Sequence, residues 1–183
     1  MSRVLVPLAP GFEEIETTTI VDVLRRGEVE VVLAGLEGTK PHRGSRGMVF
    51  LPDVALDTAL NDCWDWIVLP GGLGGTEAMA AHGPLVDLVR QRVAARQPVG
   101  AICAAPLVLD KAKVLKDNEF TCYPGLQSRI GARGRRPDRV VDAGPVVTSQ
   151  GPGTAMTFAL YLLGKIKGPE VKSTVQAGLL HYD

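Results

Sequence analysis

The residue with the clearest chemical potential in this chain is Cys103, in the segment GAICAAP at residues 100–106. It ends an apolar run, and the small Ala104 and Ala105 allow a tight reversal into a helix, which is the construction of a nucleophile elbow. Amides at the start of that helix favour a thiolate, so we predict a thiol pKa below the ordinary value of about 8.5. The alternative interpretation is an inert cysteine buried at a strand end.

A reactive thiol needs a partner that controls its proton, and the segment PGFEEIE at 10–16 offers three carboxyl groups. We assign this role to Glu16 and predict that Cys103 and Glu16 are the catalytic pair. Glu16 also falls in the first turn of a predicted helix, where a carboxylate is favourable for structural reasons alone. Helix stabilisation is therefore the alternative role.

Donors for a developing negative charge are predicted in a second loop, LPGGLGG at 69–75, which follows another apolar run. The amides of Gly71 and Gly72, together with that of Ala104, form the predicted oxyanion site. An ordinary glycine-rich turn is the alternative. A fourth loop, TSQGPGT at 148–154, brings further small residues to the same edge of the predicted sheet.

Neither a metal site nor a disulfide is indicated by the remaining cysteines and histidines. Cys63 and Cys122 form no C-x-x-C pair with each other or with Cys103, and no histidine stands at zinc-ligand spacing. We predict no metal and no cofactor. Free thiols and the absence of a signal-like segment at the start point to a reducing, cytoplasmic location.

The elements that position these loops alternate between strand and helix. Apolar runs typical of buried strands lie at 3–9, 29–34, 64–69, 98–102 and 145–148. Helical patterns lie at 15–26, 84–96, 104–112, 153–166 and 168–180. The alternation predicts an α/β fold, a mostly parallel sheet with helices on both faces, in a single domain over 1–183.

Two segments give weaker signals. Residues 47–60 are interpreted as a short strand and turn, a hairpin partner on a sheet edge. Residues 113–142 are interpreted as loops with one short strand and one short helix. The latter hold a basic cluster, for which a solvated loop is favoured over an anion-binding patch: Arg129, Arg133, Arg135, Arg136 and Arg139.

Charge and hydropathy exclude several partner classes. Lysine plus arginine and aspartate plus glutamate both number 20, so no net field attracts a nucleic acid or a membrane surface. The longest apolar stretch, FALYLL at 158–163, is far shorter than the roughly 20 residues of a membrane span. Nucleic-acid and membrane partners are not expected.

The four loops together resemble the DJ-1/ThiJ/PfpI superfamily, and most closely its DJ-1/YajL branch. The resemblance rests on APGFEEIET, VLPGG, VGAICAAP and TSQGPGTA, in this order and at these separations, over essentially the whole chain. It implies a flavodoxin-like sandwich and a homodimer. It also places the family's reactive cysteine on Cys103, its protonated glutamate on Glu16 and its dimer contacts near Arg26 and Arg46.

The chain departs from the family pattern at two places. Tyr123, in TCYPG, stands where some members carry a histidine, so Cys-His hydrolytic or proteolytic chemistry is not expected and Tyr123 becomes an accessory site residue. Peripheral cysteines of the animal branch are replaced by Gly44 and Leu51. Cys103 is then the main redox-responsive group.

The resemblance implies two functions that share this site. The first is a cofactor-free glyoxalase of the glyoxalase III type, a lyase or hydrolase that converts methylglyoxal or glyoxal to a hydroxy acid, with protein deglycation as a related activity. The alternative is a non-enzymatic redox sensor or chaperone of the oxidative stress response, whose cysteine is oxidised to sulfinate. The expected partners are therefore small reactive aldehydes or oxidants, and a second copy of the chain. A protease or glutamine amidotransferase is the least favoured interpretation, since it needs a histidine base.

Overall fold

The apolar runs of the sequence become buried strands in a computed structural model, which describes residues 2–182. The strands of the described residues are β1 (Arg3–Leu8), β2 (Glu30–Gly35), β3 (His42–Arg43), β4 (Val49–Phe50), β5 (Val54–Ala55), β6 (Trp66–Leu69), β7 (Val99–Ile102), β8 (Val140–Asp142) and β9 (Val146–Ser149). Seven of them form one sheet in the order β5-β2-β1-β6-β7-β9-β8. All neighbours in this sheet pair in parallel except β8, which is antiparallel to β9.

Helices cover both faces of the sheet. They are α1 (Glu14–Arg26), α2 (Leu56–Ala59), α3 (Leu73–Ala81), α4 (Gly83–Ala94), α5 (Pro106–Lys111), α6 (Ala155–Lys167) and α7 (Pro169–Gly178), with 3-10 turns at Leu126–Arg129 and Pro152–Thr154. No helix within residues 2–182 has the length and apolar character needed to cross a membrane.

The period-two alternation of β1 divides the core into two layers. Val4, Val6 and Leu8 belong to the apolar cluster that includes residues of α1, α6 and α7. Leu5 belongs to the second cluster, which includes residues of α2, α3, α4 and α5. The predicted α/β fold, with a mostly parallel sheet covered on both faces, is confirmed.

Helix α1 starts where local chemistry favours it. The Glu13 side chain accepts a hydrogen bond of 2.8 Å from the backbone N–H of Glu16, which satisfies one free donor at the helix start. Arg25 and Arg26 lie in the last turn, where the helix dipole favours positive charge. The loop after β1 and the first turn of α1 are thereby held in a defined geometry.

Two local predictions differ from the structure. The glycine-rich segment after β6 was predicted as a loop, but Leu73–Ala81 form α3. Gly75 allows this, because a Cβ there would lie 2.9 Å from the backbone nitrogen of Phe12, so the glycine lets the helix pack closely on the first loop. The second prediction, a hairpin partner on a sheet edge at 47–60, is correct only in part. Strand β4 does form an antiparallel hairpin with β3, but in a separate two-stranded sheet, and the edge of the main sheet is formed by β5, which pairs in parallel with β2.

The irregular region at 113–142 contains one 3-10 turn and the strand β8, as the sequence indicates. Its arginines are largely paired. Arg129, Arg133 and Arg136 form ion pairs with Glu77, Asp117 and Asp138. These pairs favour the solvated-loop interpretation over an anion-binding patch.

Candidate active site

A cleft of about 560 Å³ lies where the carboxyl ends of β1, β6 and β7 meet, which is where open parallel sheets hold their ligands. Cys103 follows β7 directly. The cleft is lined by Gly11, Glu13, Ser45, Arg46, Gly72, Leu73, Gly74, Cys103, Ala104, Tyr123, Leu126 and Pro152.

Cys103 has the backbone conformation of a nucleophile elbow. Its φ angle of 64° lies in the left-handed region, which costs a non-glycine residue roughly 1–2 kcal/mol. The surroundings hold the strained residue at both backbone groups: its N–H donates to Ser149 O at 3.0 Å, and its carbonyl oxygen accepts from Tyr123 N at 2.9 Å. Such strain is typical of functional positions.

Glu16 is the immediate neighbour of the Cys103 thiol. Its side chain is fully buried, and its oxygen Oε2 accepts a hydrogen bond of 2.8 Å from the backbone N–H of Gly71. Its oxygen Oε1 has no hydrogen-bond partner among the described residues. The carboxyl group lies beside the thiol of Cys103, and each group shifts the pKa of the other.

Burial dominates the electrostatics of Glu16. It raises the pKa of this carboxyl from 4.5 to about 7, although the hydrogen bonds from Cys103 and Gly71 act in the opposite direction. Glu16 therefore holds a proton under mildly acidic conditions, and a protonated carboxyl can donate a hydrogen bond to sulfur.

The environment of Cys103 contradicts the expectation of a lowered thiol pKa. Burial and the negative charge of an ionised Glu16 raise the pKa of Cys103, while hydrogen bonds from the amides of Gly72 and Ala104 lower it. The expectation counted the amide donors and left out both burial and the neighbouring acid. The two acids titrate as a coupled pair, because two negative charges away from water repel each other, and the pair retains one proton over a wide pH range.

The predicted oxyanion amides separate into two groups. The N–H groups of Gly72 and Ala104 lower the pKa of Cys103, so they favour negative charge on its sulfur. The N–H of Gly71 is already bonded to Glu16, so Gly71 positions the acid and is not a free oxyanion donor. A side chain at Gly71 has no room, since a Cβ there would lie 2.6 Å from both Cys103 Cβ and Glu16 Oε2.

The β3–β4 hairpin forms a polar wall of the cleft and is fixed by Glu14. This buried carboxyl accepts from Arg46 N at 2.5 Å and from Ser45 Oγ at 3.0 Å. Burial raises the pKa of Glu14, but these and further backbone hydrogen bonds outweigh it and lower the pKa overall. The sequence analysis did not single out Glu14, because its role depends on a hairpin about 30 residues away.

Of the other predicted site residues, some line the cleft and one lies outside it. Tyr123 lines the cleft and is half exposed, which is compatible with its accessory role. Arg46 also lines the cleft. Arg26 lies outside it, at the end of α1, in an ion pair of 2.6 Å with Asp22. The dimer contacts assigned to Arg26 and Arg46 stay predictions.

The remaining cysteines and the central histidines lie away from the cleft lining. Cys63 is exposed, whereas Cys122 is fully buried, and burial raises its pKa. His42 bridges Lys40 O and Glu37 N within a turn, and His82 accepts from Leu85 N at the start of α4. Within residues 2–182 no cluster of histidine, cysteine and acidic side chains is suited to hold a metal ion.

Three apolar residues of the cleft were missed by the sequence analysis: Leu73, Leu126 and Pro152. Leu73 opens the helix that was predicted as a loop, and Leu126 lies in the irregular region without periodicity. Pro152 is part of the TSQGPGT loop, so its proximity to Cys103 was implied by the order of the strands.

Comparisons with known proteins agree with this geometry. The DJ-1/PfpI family profile matches residues 2–165. Protein dj-1beta of Drosophila melanogaster is 41% identical over 178 residues, covering 96% of this chain and 95% of the relative. Its crystal structure superimposes with a TM-score of 0.95 at 40% identity, covering all of both chains.

Of two further relatives, one is much longer than this chain and the other carries the name of an activity. Protein DJ-1 homolog B of Arabidopsis thaliana is 40% identical over 169 residues, which are 92% of this chain but only 39% of the relative. The glutathione-independent glyoxalase DJR-1.2 of Caenorhabditis elegans is 37% identical over 161 residues, covering 86% of this chain and 84% of the relative. The match over most of the chain, together with the elbow cysteine and its buried acid, shows that the chain belongs to the DJ-1/PfpI family.

Proposed function

We propose that the protein is a cysteine-dependent, cofactor-free glyoxalase that converts 2-oxoaldehydes such as methylglyoxal or glyoxal to 2-hydroxy acids. The observation that carries this proposal is the adjacent pair of Cys103 and the buried Glu16, whose pKa values depend on each other, at an open cleft. The C. elegans relative named as a glutathione-independent glyoxalase supports it. Such chemistry needs a nucleophile and a movable proton, which one thiol and one carboxyl group supply.

The first step is the attack of the Cys103 sulfur on the aldehyde carbon. The pair starts with one proton, and attack takes place when that proton is on Glu16 and the charge is on sulfur. A carbon–sulfur bond forms, and the electrons of the carbonyl double bond move to its oxygen, which takes the proton from Glu16. The product is a hemithioacetal beside an ionised carboxylate. The amides of Gly72 and Ala104 are the donors nearest to the developing oxyanion.

The second step moves hydrogen from C1 to C2 of the substrate. Ionised Glu16 removes the proton from C1 of the hemithioacetal, and the electron pair of that C–H bond forms the C1–C2 double bond of an enediolate whose negative charge lies on the C2 oxygen. Glu16 then returns this proton to C2, and the hydroxyl proton on C1 passes to the C2 oxygen, which leaves a thioester of the 2-hydroxy acid on Cys103. Water hydrolyses this thioester, and the thiol and the hydroxy acid are released. C1 is oxidised from the aldehyde to the acid level while C2 is reduced from the ketone to the alcohol level, so no external oxidant or reductant is required.

The raised pKa of Glu16 fits this double task. A carboxyl with a pKa near 7 exists in both forms near neutral pH, so it donates a proton in the first step and accepts one in the second. A fully exposed glutamate would be ionised at neutral pH and would lack the proton for the first step. The burial of Glu16 thus serves the reaction directly.

A redox-sensing function is the second candidate, and the same donors favour it. Oxidation of Cys103 to a sulfinate places two oxygens where the amides of Gly72 and Ala104 are directed, and a protonated Glu16 can donate to one of them. The chaperone and stress-response roles belong with this candidate, as does the assignment to the cytoplasm. Both functions use one thiol, so they compete for the same residue.

The test is formation of hydroxy acid from methylglyoxal without glutathione, measured chromatographically for the wild type, Cys103→Ser and the control Cys63→Ser. The wild type and Cys63→Ser should form lactate at equal rates, and Cys103→Ser should form none. A wild type without turnover, or a Cys103→Ser variant as active as the wild type, would refute the glyoxalase proposal.

A further inference from the structure

The cleft above Cys103 is larger than the smallest 2-oxoaldehydes require. Methylglyoxal has five non-hydrogen atoms and occupies at most about 150 Å³, if each atom takes no more than the roughly 30 Å³ of a water molecule in the liquid. The cleft has a volume of about 560 Å³. This value falls in the roughly 300–1,000 Å³ range of pockets that hold larger ligands. With methylglyoxal bound, most of the volume of the cleft would still be open to water.

The residues that line the rest of the cleft form two groups, which differ in polarity and in the chain segments that they come from. The polar side chains, Glu13, Ser45 and Arg46, come from the loop after β1 and from the β3–β4 hairpin. A second group comes from the segments that follow β6, β7 and β9, and we call it the apolar wall: Leu73, Tyr123, Leu126 and Pro152. Because β6, β7 and β9 are neighbours in the sheet, the segments that carry these residues lie next to one another at its carboxyl edge.

The apolar wall contains hydrophobic surface that no other part of the described chain covers. Leu73 is 46% exposed and Tyr123 is 49% exposed, although both line the cleft that holds the thiol. Gly151 carries no Cβ beside the Tyr123 ring, where a Cβ would lie 3.1 Å from the ring carbon Cδ2. Uncovered apolar surface next to a reactive group indicates contact with an apolar part of the ligand.

Two side chains on the polar side of the cleft already form hydrogen bonds within the protein. The Glu13 carboxylate accepts from Glu16 N, and Ser45 Oγ donates to Glu14. Burying these groups under an apolar substituent would remove water from them without replacing their hydrogen bonds, which is unfavourable. A bulky apolar substituent therefore gains more binding free energy when it packs against the apolar wall than when it packs against the hairpin.

We propose that the preferred substrates are 2-oxoaldehydes whose ketone carbon carries an aryl or branched alkyl group, and that Leu73, Leu126 and Tyr123 bind this group. The inference rests on the proposed function and names its substrate class. With the aldehyde carbon bound to Cys103, the remainder of the substrate extends into the cleft. Burial of on the order of 100 Å² of apolar surface there increases kcat/KM about tenfold or more.

The experiment measures kcat/KM for phenylglyoxal and for methylglyoxal and uses the ratio of the two values. A change in the reactivity of Cys103 or Glu16 affects both substrates alike and therefore does not alter this ratio. We expect Leu73→Ala and Leu126→Ala each to lower this ratio at least fivefold relative to the wild type. The matched control is Leu180→Ala, which removes an exposed leucine outside the cleft and should leave the ratio unchanged. Circular dichroism confirms that each variant is folded.

A binding measurement separates this inference from the proposed function. Acetophenone has the aryl ketone without the aldehyde, and its titration into Cys103→Ser, followed by NMR, should shift the backbone amides of Leu73 and Tyr123. Leu73→Ala in the same background should weaken that binding at least threefold. Unchanged ratios in both leucine variants, or acetophenone shifts confined to residues outside the cleft, would overturn the inference. Absence of turnover with every 2-oxoaldehyde, combined with acetophenone binding at the apolar wall, would overturn the glyoxalase proposal and retain the apolar-ligand site.

Discussion

The backbone N–H of Gly71 donates to the carboxyl oxygen Oε2 of Glu16 at 2.8 Å, across 55 positions of sequence. The bond joins the loop after β6 to the first turn of α1. It fixes the orientation of an acid that is fully buried and that shares a proton with Cys103. A glycine amide and a single carboxyl group thus set both the geometry and the protonation of the site.

Glu16 should make stability depend on pH. Its carboxyl has a pKa of about 7 in the folded protein against 4.5 in an unfolded chain, so the folded state binds more protons between these values. The stabilisation from the protonated carboxyl is complete below pH 4.5 and is lost as the pH rises through 7. It amounts to up to about 3 kcal/mol.

The measurement is the free energy of unfolding by urea at several pH values. The advantage of the wild type over Glu16→Gln should decrease from pH 4.5 to pH 7, because glutamine is neutral throughout. Glu170→Gln, at an exposed position, is the control and should follow the wild type. An advantage that increases with pH would contradict the raised pKa of Glu16.

Gly71→Ala should abolish activity and destabilise the fold. The added Cβ would lie 2.6 Å from both Cys103 Cβ and Glu16 Oε2, so the two functional side chains must move apart. We expect a loss of about 1–3 kcal/mol in stability and at least a hundredfold loss in turnover. Gly83→Ala, where an added Cβ meets nothing within 4 Å, is the control. Near-normal turnover in Gly71→Ala would show that contact between Cys103 and Glu16 is not needed.

Mild peroxide should oxidise Cys103 to the sulfinate and stop there. The amides of Gly72 and Ala104 and the protonated Glu16 can hydrogen-bond to the sulfinate oxygens. Glu16→Asp has a shorter reach and should let oxidation continue to the sulfonate. Intact-mass spectrometry after graded peroxide measures this, with Cys122→Ser as the control, since Cys122 is fully buried. A wild type that passes directly to the sulfonate at Cys103 would contradict this stabilisation of the sulfinate.

The homodimer is a prediction from the family resemblance, and the surface of α1 and the hairpin makes it testable. Apolar side chains are exposed on α1 and at the end of the β3–β4 hairpin, among them Ile15 at 58% and Leu51 at 68%. Light scattering should give about twice the monomer mass of 19.5 kDa at micromolar concentration. Ile15→Asp should lower the mass towards the monomer, whereas Leu180→Asp should not. A wild-type mass near 19.5 kDa would refute the dimer.

The sequence predicted the features whose signals are local. Buried parallel strands appear as continuous apolar runs, and the Ala104–Ala105 pair after Cys103 indicates the elbow. Features that depend on contacts between distant segments were missed or misjudged. Helix α3 is rich in glycine and has weak helix propensity, and it forms because Gly75 packs on Phe12. The pairing of Cys103 with Glu16 was predicted, but the thiol pKa was misjudged because the burial of both groups depends on how the loops after β1, β6 and β7 pack around them.

The comparison of Tyr123 with Glu16 tests which residue carries protons during turnover. Tyr123 lines the cleft at the position where some family members have a histidine, and its backbone N–H supports the Cys103 carbonyl. A phenol is a poor base near neutral pH but a good hydrogen-bond donor. Its main-chain contact is retained in Tyr123→Phe, which removes only the hydroxyl. We expect Tyr123→Phe to lower turnover of methylglyoxal about tenfold or less.

Glu16→Gln should lower the same turnover about a hundredfold or more, because glutamine can neither give nor accept the proton that both steps require. The glutamine retains a carbonyl oxygen that can accept from Gly71 N, so the fold around the site should persist. Steady-state assays of both variants, accompanied by peptidase and esterase assays expected to show negligible rates, complete the test. If Tyr123→Phe abolished turnover while Glu16→Gln retained it, the proton carrier would be the tyrosine, and the mechanism would have to be rebuilt around its hydroxyl group.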